Sequence, residues 1–189
     1  SQRGYERERH PGLRENQNQA LGDAGMVKLR LLKSEDAPLM LEWMHDPFVC
    51  RDLQTNFAAK TLVDCQRFIE DSLHSVSDQH FAIVTDADDT YLGTVSLKHI
   101  TADSAEFAIT VRRCAMGSGI SGEAMKRILE YGMETLALKK IYWCVPAVNH
   151  RAVRFYDKNG YPRCGAPKEV AGYTAEQIQQ YLWYCVSFA

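Results

Sequence analysis

One stretch of this 189-residue chain combines residue types and spacing that suggest chemistry: Arg112–Met125, R-R-C-A-M-G-S-G-I-S-G-E-A-M. Gly117, Ser118 and Gly119 stand together, with Gly122 one turn further on. An alternating run, Ala105–Val111, precedes them, and a helix-like run, Ser121–Leu136, follows. A strand, a tight glycine turn and a helix start expose backbone N–H groups at the positive end of a helix dipole, which suits a phosphate. Small residues let such an anion approach the backbone closely. The same glycines would equally serve a plain strand-to-helix turn, and this stretch alone does not separate the two. A second stretch, N-H-R-A-V-R-F-Y-D-K-N-G-Y at Asn149–Tyr161, opens with a helix-capping Asn and ends on Asn159-Gly160, a helix stop.

The elements that must position these residues are legible in order. Val27–Leu32 reads as a strand, and Ser34 as the N-cap of a helix carrying Leu39, Met40, Leu41, Trp43 and Met44 that stops at Asp46-Pro47. Phe48–Ala59 reads as irregular. Thr61, with Asp64 three residues on, caps a second helix. His80–Thr85 and Tyr91–Ile100 read as a hairpin around Asp86–Asp89, and Ser104–Val111 as the third strand of a meander. After the glycine turn and its helix come a strand, Lys139–Val145, the helix from Asn149, and a last strand, Tyr181–Phe188. Glu176–Tyr181 fits either a helical turn or part of a hairpin. The order predicts an α+β (mixed α/β) fold: a central, mostly antiparallel twisted sheet with flanking helices, and one locally parallel pair across Ala105–Val145.

Composition bounds the function. A net charge of −2 supplies no general field for nucleic acid or membrane lipid, and no apolar run is long enough to span a bilayer. The six cysteines contain no C-x-x-C pair and read as reduced thiols of a cytoplasmic protein; His and Cys do not cluster at metal-ligand spacing. Residues 1–25 are polar, mixed in charge and nearly free of large apolar side chains, so they read as a disordered leader or an added tail. Met26 reads as the natural start, and residues 26–189 as one domain. A tail that orders against a partner chain is the alternative.

With both motifs in view, the chain resembles the GNAT superfamily of N-acetyltransferases, and within it most the ribosomal-protein N-acetyltransferase-like branch. Gly117 and Gly119 match the family's Gly-x-Gly turn, although Cys114 stands at the leading Gln or Arg position, with Arg113 one residue early. Asn149, Ala152, Tyr156, Lys158, Gly160 and Tyr161 match its N-x-x-A-x-x-x-Y-x-K-x-G-[FY] element. The resemblance covers the chain from Met26 onwards and implies a GNAT-like fold and acetyl-CoA as cofactor. It implies that Cys114, Met116, Gly117, Ser118, Gly119, Ile120 and Ser121 surround the pyrophosphate. Ile109 and Val111 would lie along the pantetheine, in a slot where the family splays its strands. Asn149, Ala152, Phe155, Tyr156 and Lys158 would line the other side. Tyr156 would be the acid beside the CoA sulfur, and Glu106 the base, acting directly or through water. His99 and His80 are runner-up bases.

The acceptor pocket is expected from Trp43–Phe57 and Gly165–Tyr173, with Trp43, Arg51 and Asp52 as substrate contacts; core packing is the alternative for Trp43. Gln54 also lies in the first wall. Asp46 or Asp52 would suit an amine, and Arg51 a phosphate or carboxylate. The acceptor is a primary amine of a small molecule or a protein N-terminus. Amino groups on nucleotide-linked sugars, or a non-catalytic acetyl-CoA-sensing module, are the alternatives. Relatives dimerise through terminal strands, so a homodimer through Tyr181–Phe188 is expected by analogy.

Overall fold

The computed structural model describes residues 27–53 and 55–189. The proposed leader, Met26 and Gln54 lie outside the described residues. The strands are β1 (Val27–Leu31), β2 (Gln79–Thr85), β3 (Tyr91–Lys98), β4 (Ser104–Val111), β5 (Lys140–Pro146), β6 (Arg163–Cys164) and β7 (Tyr181–Ser187). The helices are α1 (Ala37–Met44), α2 (Pro47–Cys50), α3 (Leu62–Ser72), α4 (Ile120–Glu134), α5 (His150–Lys158) and α6 (Ala175–Gln180). The strands form one sheet in the order β1-β2-β3-β4-β5-β7-β6. Neighbours run antiparallel except β4 and β5, which are parallel.

Burial on both faces of the sheet explains the apolar strands. In β2, Phe81 and Ile83 pack with α4, while Ala82 and Val84 face α1 and α3. The first layer is built by Ala124, Met125 and Ile128 of α4 with Tyr156 of α5. The opposite layer is built by Met40 and Trp43 of α1 with Cys65 and Ile69 of α3. A third, smaller cluster of Val170, Ile178 and Trp183 takes in Tyr142, Cys144 and Tyr173.

Local signals decide the helix starts. Thr61 and Asp64 form the expected reciprocal cap of α3. Asn149 Oδ1 accepts from the Ala152 N–H at the start of α5. Thr174 and Gln177 cap α6 in the same reciprocal way, which makes 175–180 a helix. Ser34 is not a cap. It opens a 3-10 turn, Ser34–Asp36, ahead of α1. Buried Asp36 accepts from the Lys33 N–H and pairs with both terminal nitrogens of Arg30. That network outcompetes a serine hydroxyl. The loop after Met44 is also more ordered than expected, because Asp46 caps α2 and Phe57–Ala59 makes a second 3-10 turn.

β7 pairs with β5 along its full length and with β6 at Trp183 and Tyr184. β6 spans only Arg163–Cys164, so its ladder covers only part of the outer side of β7. No helix of the described residues is long and apolar enough to cross a membrane.

Candidate functional site

β4 and β5 are paired only at Ser104↔Lys140, Ala105↔Ile141 and Glu106↔Tyr142. Beyond that point β4 keeps its ladder to β3 as far as Val111, while β5 keeps its ladder to β7 as far as Pro146. The two central strands thus fork after Glu106, and the β5-facing backbone of Phe107–Val111 is left open. Ile109 and Val111 sit on that open length.

The strand leads into a 3-10 turn, Arg113–Ala115, and then the glycine turn. Gly117 has φ +75° and Gly119 φ +83°, left-handed values that favour glycine. A Cβ built on either meets nothing within 4 Å, so open space lies in front of the turn. The Ser118 hydroxyl is not free, since it donates to the Ala115 carbonyl at 2.6 Å and braces the turn. Gly119 is the N-cap of α4, whose first residues are Ile120 and Ser121, so the amino end of a 15-residue helix faces that space. Cys114 is exposed. The turn, the helix start and the open β4 edge fit a ligand with a pyrophosphate and an extended amide arm.

α5 packs beside β5 and β7 at Trp143 and Tyr184. Phe155 is the nearest neighbour to a Cβ on Gly122, so α5 packs against the first turn of α4. Ala152 is half-buried on the same helix, and Lys158 is exposed at its end. Tyr156 is buried among Trp143, Phe155, Tyr161 and Tyr184. Burial pushes its phenol well above the ordinary tyrosine range, so it stays a proton donor.

Two buried polar atoms are unmet at the fork. Glu106 is 2% exposed, and its Oε2 has no hydrogen-bond partner. Its Oε1 lies 3.2 Å from Lys98 Nζ, the cross-strand neighbour, and at 3.5 Å from the Tyr173 hydroxyl. Trp143, the next residue on β5 after the last pair, is 1% exposed with Nε1 unmet. Buried polar groups in folded proteins are nearly all satisfied, so such orphans call for a partner, from water or from a ligand.

Around Glu106 the C-terminal segment supplies a wall of rings. Tyr173 lies 6.0 Å from Tyr181 and 5.8 Å from Trp183, and Tyr142 lies 6.4 Å from Trp183. Burial pushes the Cys144 thiol up to about 11, so it stays protonated at neutral pH. Burial likewise raises Tyr173.

In the other expected wall, Trp43 is turned into the core. Trp43 is 5% exposed in the core, and its Nε1 donates to the Tyr91 hydroxyl at 3.0 Å. Its apolar neighbours on α1 turn it inward, away from any acceptor. Asp52 pairs with Arg51, and Asp46 pairs with Arg113, which holds Asp46 below its usual range. Of the runner-up bases, His80 is buried against Ser96 Oγ at 2.6 Å and lowered to about 4 by burial. His99 uses a left-handed backbone, φ 53°, at the turn after β3. Neither contacts Glu106.

Sequence reasoning did not single out Lys98, Tyr142, Cys144 or Trp183. The alternation of β5 placed Tyr142 and Cys144 on one face, but only the fold shows that this face meets Glu106. Residues 27–162 match the family described as an acetyltransferase (GNAT) domain. Spermidine N(1)-acetyltransferase of Escherichia coli (strain K12) is 27% identical over 149 residues, 73% of this chain and 74% of that protein. Acetyltransferase PseH of Campylobacter jejuni subsp. jejuni serotype O:2 is 26% identical over 139 residues, 72% of this chain and 85% of that protein. The crystal structure of spermidine N-acetyltransferase from Vibrio cholerae in complex with CoA and spermine matches with a TM-score of 0.70 at 21% identity. That match covers 85% of this chain and 95% of the other and is a likeness of fold.

Proposed function

The chain belongs to the GNAT family of N-acetyltransferases, which use acetyl-CoA, and from that premise we propose that the β4–β5 fork is where a small primary amine is acetylated. The observation that carries this reading is Glu106, a buried carboxylate with one oxygen unmet at the apex of the fork. Acetyl-CoA, when bound, supplies the activated acetyl thioester. The Gly117–Gly119 turn and the start of α4 would hold its pyrophosphate, with Cys114, Met116, Ser118, Ile120 and Ser121 around them. The open β4 edge at Ile109 and Val111 would receive the pantetheine, faced by Asn149, Ala152, Phe155, Tyr156 and Lys158 across the fork.

An amine reaches the site as an ammonium and must lose a proton before it attacks. Glu106 Oε2 takes that proton, while Lys98 and Tyr173 hold Oε1 and fix the carboxylate plane. Tyr156 would hold its hydroxyl proton for the sulfur of the bound thioester, and the second proton lost by the amine nitrogen would restore it. Cys144 remains a thiol at neutral pH and does not compete as nucleophile. The rings of Tyr142, Tyr173, Tyr181 and Trp183 offer faces to a cationic amine. The curated relative that acts by name on spermidine supports an amine acceptor. The C-terminal segment folded over this face supports a small amine in preference to a protein N-terminus.

The test is acetyl-CoA binding by calorimetry followed by a panel of amines with thiol release as the readout. Gly119→Glu places a carboxylate in the open space before the turn and abolishes binding. Gly119→Ala carries the same left-handed backbone without the charge and retains it. A folded wild-type chain that binds no acetyl-CoA would overturn the proposal.

A further inference from the structure

Phe48, on α2, is 41% exposed, and three guanidiniums gather around its ring. Arg113 lies 4.7 Å, Arg51 5.0 Å and Arg151 6.0 Å from the ring centroid. They come from three separate places: the residue after α2, the 3-10 turn before the glycine turn, and the first turn of α5. Three cations around one ring favour compensating anions nearby. Two are present. Asp46 takes Nε and Nη2 of Arg113, and Asp52 lies 3.5 Å from Nε of Arg51. Arg151 has no carboxylate within ion-pair distance among the described residues, and its Nη1 rests on Met116 Sδ at 2.9 Å. Nη1 of Arg113 and both terminal nitrogens of Arg51 are also left over from these pairs. The Arg151–Met116 contact joins α5 to the glycine turn, so the cluster stands at the mouth of the slot.

We propose that Phe48, Arg51, Arg113 and Arg151 form a binding site for a phosphate group at the mouth of the cofactor slot. Guanidinium forks match phosphate oxygens in geometry, and the Phe48 ring carries the guanidiniums that would supply them. The inference rests on the acetyltransferase reading. Two ligands could bring this group: the 3′-phosphate of CoA, or a phosphate on the acceptor.

The experiment compares wild type with Arg51→Ala/Arg151→Ala, which leaves the Arg113–Asp46 pair intact. One arm measures calorimetric Kd for CoA and dephospho-CoA. The other measures KM for ethanolamine against phosphoethanolamine, and for glucosamine against glucosamine 6-phosphate. In one arm, wild type prefers the phosphorylated partner by about tenfold, and the double variant loses that preference while still binding dephospho-CoA. Preference in the first arm assigns the site to the cofactor, and in the second to the acceptor. No preference in either arm, or a preference the double variant keeps, overturns the inference while leaving the acetyltransferase reading intact. Failure of wild type to bind either CoA form defeats both.

Discussion

Glu106 and Tyr142 are the last Cα partners of the parallel β4–β5 ladder, and the carboxylate of Glu106 is the first group beyond it with an unmet oxygen. The fork and the proposed base therefore share one residue. Parallel pairing brings β4 and β5 together at one end, and their outer partners, β3 and β7, draw the other ends along separate ladders. Backbone that would be satisfied inside a sheet is thereby offered to a ligand, directly beside a proton acceptor.

Tyr156→Phe removes the hydroxyl and leaves the ring among Trp143, Tyr161 and Tyr184. Turnover should fall by about 10²-fold, with acetyl-CoA affinity kept. Because burial raises this phenol above the ordinary range, its donor form persists through pH 10. The wild-type kcat profile should accordingly show no alkaline loss below pH 10 that Tyr156→Phe abolishes.

Trp43→Phe should cost stability and not substrate affinity. The substitution removes the Nε1 bond to Tyr91, whose hydroxyl keeps its contact with Thr94 Oγ1 at 2.7 Å. A loss of about 1–3 kcal/mol in denaturant unfolding is expected, with acceptor KM unchanged. A raised KM with unchanged stability would return Trp43 to the acceptor pocket.

His80 makes stability depend on pH. Its folded value, about 4, lies below its ordinary 6.5 because burial disfavours the charged ring. Between these values the unfolded chain binds more protons, so stability rises with pH. The contribution is complete above about 6.5 and is lost as pH falls toward 4. Its size is on the order of 3 kcal/mol. His80→Asn should flatten unfolding free energy across that window, and an unchanged slope would contradict the assignment.

The local parts of the site were legible in the sequence because they are written in consecutive residues. Gly117 and Gly119 supply left-handed backbone in a tight turn, Asn149 caps α5, and Tyr156 follows at fixed spacing. The strand order of the meander was legible for the same reason, since short turns leave few pairings. What was hidden depends on distant partners. Tyr173 reaches Glu106 across 67 residues, and Arg113 meets Asp46 across the same separation. No periodicity reports such contacts. For Trp43 the sequence left a pocket wall and core packing both open, and the structure places it in the core. Its indole N–H finds Tyr91 on β3, which only the packing of α1 on the sheet reveals.

The most direct test of the account is Glu106→Gln, which keeps the shape of the side chain beside Lys98 and Tyr173 and removes its capacity to take a proton. With the best amine of the panel, kcat should fall by about 10²–10³-fold across the pH range, while the calorimetric Kd for acetyl-CoA stays unchanged. Unaltered turnover and an unaltered pH profile in a variant that still binds acetyl-CoA would contradict the account, removing Glu106 from the reaction and leaving the fork as a cofactor slot alone.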